Sequence, residues 1–280
     1  MATTPAETAK TLDYLTTSLK APRIREAAAR IADTARTGHW SYEEYLAAVL
    51  EREVAARNAS GARLRITAAG FPAIKTAEDF DFTAQTAITH TDYAAMASGR
   101  YLAEAGNIVL LGPPGTGKTH LATALGITAC QQGHRVLYAT AVDWIHRLKG
   151  AHDTGRLDAE LRKLGRYRLI IIDEVGYLPF EQEAANLFFQ LVSTRYEKAS
   201  LILTSNLPFA RWGEVFGDVT IAAAMIDRIV HHAEVHTLKA PATDSRPWAP
   251  TPCPAPPTKP TSDTNCSLFD RRYCSLFDRR

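Results

Sequence analysis

Residues 112–119 read Gly-Pro-Pro-Gly-Thr-Gly-Lys-Thr, and no other stretch of the chain limits its fold so strongly. The Gly-x-x-x-x-Gly-Lys-Thr spacing has a defined use only where a strand turns into a helix. Both flanks agree. The apolar run Asn107–Leu111 precedes the octet, and the helix-like stretch Leu121–Gln131 follows it. Glycines allow backbone angles that aim successive N–H groups at phosphate oxygens, and a helix N-terminus adds a favourable dipole. Gly112, Pro113, Pro114, Gly115, Thr116, Gly117, Lys118, Thr119 and the adjoining His120 therefore form a candidate nucleotide cradle. In such a loop the lysine spans the β- and γ-phosphates and the threonine hydroxyl ligates a metal. ATP and Mg²⁺ are the expected cofactors, with Thr119 a metal ligand.

The surrounding pattern supplies the rest of the layer. Short apolar runs at Arg135–Ala139, Leu169–Ile172, Leu201–Thr204 and Val235–Leu238 alternate with helical patterns at 118–131, 141–149, 156–165, 182–198 and 220–232. Alternation of this kind predicts βαβ units and a parallel sheet with helices on both faces. The fold class is therefore α/β: a P-loop NTPase three-layer αβα core over residues 105–238. Residues 1–65 read as a small helical region, with Ser41 and Glu44 spaced as a capping box. Residues 66–104 form a junction with a turn near Gly70-Phe71-Pro72 and a helix over 84–104.

Three further motifs sit at the ends of predicted strands or helices. Leu169–Ile172 delivers Asp173 and Glu174 at its C-terminal end, where open α/β sheets bind ligands. Asp173 is the second candidate metal ligand, and Glu174 the candidate general base for an attacking water. Leu201–Thr204 leads to Asn206, a candidate for orienting that water; an asparagine there also suits a plain turn. Arg228, in the amphipathic segment 222–230, could reach a neighbouring subunit's γ-phosphate, or it could simply make an intrahelical or surface salt bridge. Arg195 is a second candidate for that reach.

Composition narrows the class. Lys+Arg 32 against Asp+Glu 30 gives a net charge of only +2, so any nucleic-acid surface must be local. Residues 20–65 and 141–168 are each net +3 and are candidates for sequence-tolerant contact with phosphates. No apolar run approaches the ~18 residues of a membrane span, the N-terminus lacks a signal-peptide pattern, and the four cysteines show no C-x-x-C pair. A reduced, cytoplasmic protein is expected. Residues 239–280 hold eight of the fifteen prolines between Pro241 and Pro260, then repeat seven residues, Cys266–Arg272, as Cys274–Arg280. A disordered, Pro-rich tail is expected there.

Taken together, GPPGTGKTHL (Gly112–Leu121), IIDEVGYL (Ile171–Leu178), TRYE (Thr194–Glu197), LTSNLP (Leu203–Pro208), WGEVFG (Trp212–Gly217) and DRIVHHA (Asp227–Ala233) resemble the IstB-like ATP-binding proteins. SYEEYL (Ser41–Leu46) and Asp79–Phe82 extend the resemblance upstream, so that it covers about residues 10–238. These are transposition helper ATPases of the AAA+ superfamily, close to the DnaC-type helicase loaders. The resemblance implies an ATPase that binds double-stranded DNA, forms a homo-oligomer, selects target DNA and activates a partner transposase. The family's closing Gly-x-Ser-Tyr-Arg segment is replaced here, with Arg246 its displaced counterpart. A helicase loader, a non-hydrolysing ATP-dependent DNA-binding adaptor and a small-molecule kinase are the competing readings; the kinase is disfavoured because Asp173, Glu174 and Asn206 together describe water activation.

Overall fold

A computed structural model of the chain describes residues 4–239, so the expected tail and Arg246 lie outside the described residues. Five strands form one all-parallel sheet: β1 (Asn107–Leu111), β2 (Val136–Thr140), β3 (Leu169–Val175), β4 (Ser200–Ser205) and β5 (Ala233–Thr237). Their order is β2-β3-β4-β1-β5. The central strands β1, β3 and β4 are apolar on both faces because helices cover both.

The helices are α1 (Pro5–Ser18), α2 (Pro22–Thr37), α3 (Tyr42–Ala69), α4 (His90–Ala97), α5 (Arg100–Ala103), α6 (Lys118–Gln131), α7 (Ala141–Asp153), α8 (Leu157–Leu164), α9 (Gln182–Arg195), α10 (Trp212–Phe216) and α11 (Val219–Val230). On one face Ile108, Leu110, Ile171 and Ile202 pack with Leu121 and Leu125 of α6 and with the α4–α5 segment. On the other, Val109, Ile170, Ile172 and Leu203 pack with α7, α8, α9, α10 and α11. The expected three-layer αβα core is present. Strand alternation divides the side chains between the faces, and the same alternation places the site residues below.

Two expectations on the N-terminal side are corrected. The helix expected over 84–104 is two helices, because Gly99 takes a left-handed φ of +80° between them and Thr89 with Asp92 makes a capping box that starts α4 only at His90. The helical region expected to close at residue 65 does not end there: α3 runs on to Ala69. Asn58 and Gly61 lower its propensity but do not break it, and the stop comes at Gly70, φ +76°.

The core shared by α2 and α3 is small. It consists of Ala27, Ala28 and Val49, with Ile24, Ile31 and Tyr45 partly buried around it. At ~0.8 kcal/mol per buried methylene-sized group, such alanines contribute little, so polar ties matter more here. Glu53, 7% exposed, accepts from the Arg23 N–H at 3.0 Å and from Arg57 Nε at 2.7 Å. The Arg57 contact comes first among the causes that hold its carboxyl below the usual glutamate range, with the Arg23 N–H assisting. Further along α3, Arg65 Nε donates to the Cys130 carbonyl of α6 at 2.7 Å. Among the described residues no helix is long and apolar enough to cross a membrane.

Candidate functional site

The loop 112–117 leaves β1 at the C-terminal edge of the sheet and enters α6 at Lys118, with Gly117 (φ +88°) as the N-cap. Gly112, φ +144°, lies against the last described residues: a Cβ there would sit 2.3 Å from the Leu238 carbonyl oxygen. A Cβ on Gly117 would meet the Phe80 ring at 2.5 Å, whereas one on Gly115 would meet nothing. Backbone approach thus requires glycine at 112 and 117, while Gly115 is set by its φ of +78° alone.

Pro113, Pro114 and Gly115 form the exposed rim of the loop, and Thr116 is buried with its hydroxyl on the Pro113 carbonyl at 2.9 Å. Lys118 is 7% exposed, and its ammonium donates to the Gly112 and Pro113 carbonyls at 2.8 and 2.7 Å. Burial pushes its pKa below the ordinary lysine range, and Asp173 and Glu174 pull it partway back. His120 faces away from the cradle's mouth. Its Nε2 lies 2.7 Å from the Thr76 carbonyl, and its ring meets Phe80 edge-on at 5.2 Å.

Asp173 is 2% exposed in the C-terminal half of β3, which runs on to Val175 past the apolar pattern, and among the described residues no salt bridge engages it. Its oxygens accept only hydroxyls: Thr119 at 2.9 Å, Tyr138 at 2.6 Å, and Thr204. The four residues come from α6, β2, β3 and β4, on the sheet face that α6 covers. A buried carboxylate with a threonine hydroxyl beside it and no salt-bridge partner among the described residues suits a hard divalent ion with oxygen ligands.

Glu174 stands on an irregularity between Ile172 and Val175, where the β3–β4 register shifts. It takes φ +61°, its side chain is exposed, and its N–H donates to Thr204 Oγ1 at 2.9 Å. A bulge of this kind re-aims a side chain, and a left-handed glutamate costs ~1–3 kcal/mol that the neighbouring bonds must hold in place. Asn206 follows β4 half-buried, and among the described residues its side chain makes no hydrogen bond. The Ser205 carbonyl beside it accepts from the Gly112 N–H at 3.1 Å, which brings Asn206 to the start of the loop.

The two arginines lie elsewhere. Arg228 is near the C-terminus of α11. The Ile229 carbonyl next to it accepts from the side chain of Asn107 at the start of β1, so Arg228 sits at the opposite edge of the sheet from its own loop. Its guanidinium lies 4.7 Å from the Phe189 ring centroid and donates to the Ala224 carbonyl at 3.0 Å, and among the described residues the alternative salt bridge is not formed. Arg195 lies inside the chain, away from its surface. It is 2% exposed and donates to the carbonyls of Leu164, Tyr167 and Ser200 at 3.1, 3.0 and 2.9 Å.

Sequence reasoning missed four contributors: Tyr138, Thr204, Gln85 and Phe80. Strand alternation from Asp173 could have found the first two, since they point to the same face. Gln85, 5% exposed, donates to the Thr116 carbonyl at 3.2 Å and to the Lys239 carbonyl at 2.9 Å. No local pattern announces a contact across so long a separation.

Sheet order, strand-edge loop and carboxylate together define a P-loop nucleotide-binding protein of AAA+ architecture. The profile of the IstB-like ATP binding protein family matches residues 15–246. A protein designated an ATP-binding protein of insertion sequence IS21 in Pseudomonas aeruginosa is 41% identical over 228 residues, 81% of this chain and 86% of the relative. One designated likewise for insertion sequence IS5376 in Geobacillus stearothermophilus is 38% identical, covering 79% and 88%. Among solved structures, DnaI aligns with a TM-score of 0.48 at 18% identity over 59% of this chain and 90% of that one. The DnaC helicase loader aligns at 0.44 and 21% over 54% and 92%. The chain belongs to the IstB-like ATP-binding protein family.

Proposed function

We propose that this chain is an ATP-hydrolysing helper of transposition that assembles with copies of itself on double-stranded DNA, marks target DNA and activates a partner transposase. The observation that carries the enzymatic part is the convergence of Thr119 and a buried Asp173, which accepts hydroxyls and has no salt bridge among the described residues, near the loop lysine. The insertion-sequence relatives support the partner.

In this reading Lys118 leaves the loop carbonyls for the β- and γ-phosphates, whose oxygens the loop N–H groups receive. Thr119 and Asp173 hold Mg²⁺, which neutralises charge building on the phosphates when bound. Glu174 takes the proton of the attacking water, and Asn206 orients that water. Arg228, facing away from its own loop, serves the site of a neighbouring copy. For DNA, Arg30 and Arg52 line one groove between α2 and α3, and no salt bridge engages either among the described residues. Arg57, Arg147 and Arg168 are instead held by Glu53, Glu160 and backbone carbonyls.

The test is fluorescence anisotropy of labelled duplex and single-stranded DNA, with and without ATP and Mg²⁺. Cooperative, ATP-dependent preference for duplex is expected, together with a salt dependence flattened by Arg30→Glu and Arg52→Glu. Preference for single strands would instead indicate a helicase loader. Duplex binding that needs ATP but persists without turnover would leave an adaptor.

A further inference from the structure

Tyr138 stands between the nucleotide site and the helical N-terminal segment. Its hydroxyl donates to Asp173 Oδ2 at 2.6 Å. Its ring lies 6.0 Å from that of Phe71, the residue that follows Gly70 at the end of α3. Phe71 is itself seated in a notch of α6: a Cβ on Gly126 would meet the Phe71 ring at 2.7 Å and Ile171 at 2.7 Å. A Cβ on Gly70 would lie 3.7 Å from the Tyr138 carbonyl, so side chain and backbone of this residue both touch the α3 exit.

We infer that Tyr138 is a positioning residue that sets the Asp173 carboxylate for a divalent cation and links that setting to the exit of α3. This deepens the proposed function and rests on Asp173 being a cation ligand. Asp173 has two oxygens and receives three hydroxyls. Thr119 is the one that would share the ion, so Thr204 and Tyr138 are left to fix the carboxylate's rotation. Thr204 comes from the rigid, fully buried β4. Tyr138 comes from β2, a sheet edge, and its ring contact is with the segment leading from the N-terminal helices. Outer hydrogen bonds to a ligating carboxylate orient it, and their loss typically weakens metal affinity 10–100-fold.

The measurement is the affinity of the full chain for a fluorescent ATP analogue with and without Mg²⁺, taken as the ratio of the two. Tyr138→Phe, which deletes one oxygen, should lower that ratio about tenfold while leaving the Mg²⁺-free affinity and the unfolding midpoint unchanged. Phe71→Leu should lower the ratio by a smaller factor, and should add nothing in the Tyr138→Phe background. An unchanged ratio in Tyr138→Phe overturns the inference, as does an equal loss of affinity with and without Mg²⁺. A Phe71→Leu effect that persists undiminished in the Tyr138→Phe background overturns the link to α3. Asp173→Asn separates the two levels: if it too leaves the ratio unchanged, the cation-site reading itself fails.

Discussion

Replacing Arg195 with methionine tests whether a buried arginine is structural or serves another subunit. The substitution keeps most of the stem's volume and deletes every donor. Three carbonyls, at Leu164, Tyr167 and Ser200, then lose a charged partner lying within 3.1 Å. Bonds from a charged donor contribute about 1.5–3 kcal/mol each, a gross loss of roughly 5–9 kcal/mol. Against this, the guanidinium no longer has to be desolvated, which returns several kcal/mol. That cost is real here: burial, with Arg168 adding to it, brings the Arg195 pKa down to about 10. A net loss of about 2–4 kcal/mol is expected. For a folded unit of this size that is roughly 5–15 °C in the unfolding midpoint. Thermal unfolding at neutral pH reads it directly. Below the transition, Arg195→Met should bind and turn over ATP much as the parent does. A midpoint within a degree or so of the parent would refute the structural role. So would a stable variant that loses turnover and regains it on mixing with Glu174→Gln, because complementation between chains means the side chain reaches a neighbour. Arg228→Ala is the contrast: poor turnover, restored on mixing, and little change in stability.

Two further outcomes follow from the geometry. Gly112→Ala drives a methyl into the Leu238 carbonyl at a φ of +144°, whereas Gly115→Ala meets open space at a φ of +78°. Both carry backbone strain of about 1–3 kcal/mol, so denaturant titration should show Gly112→Ala the more destabilised, and equal losses would contradict the packing described. Glu53 has a lowered carboxyl pKa, so its contribution is present above the ordinary glutamate value near ~4.3 and is lost as pH falls through the depressed one. The stability gap between the parent and Glu53→Gln should therefore close on acidification; a gap constant with pH would mean that the carboxylate's charge is irrelevant.

The parts of the fold that depend on local pattern were legible in the sequence. The strand before the loop, the helix after it and the carboxylate ending β3 each follow from apolar runs bounded by glycine or acid. Lys118, Thr119 and Asp173 came together because the loop after β1 and the C-terminal part of β3, two strands away across β4, open on the same edge of the sheet. Glu174 was legible as a residue but not in its left-handed backbone, since a bulge depends on what β4 offers opposite it. Arg195 was not legible as buried, because an arginine in an amphipathic helix reads as surface until three carbonyls from other segments surround it. The extension of α3 past residue 65 was not legible, because its last turn is held by contacts with α6 and β2, which lie far along the chain.

That extension has a mechanical consequence. A 28-residue helix at 1.5 Å per residue is a rod about 42 Å long. Its C-terminal end is bolted to α6 through Arg65, while α2 packs along its N-terminal half. A tilt of about 10° around the bolted end sweeps the far tip through roughly 7 Å for a rod of that length. A pivot there would turn small shifts beside β2 into larger ones at the N-terminal helices, and a force on those helices would act on the same spot with multiplied leverage.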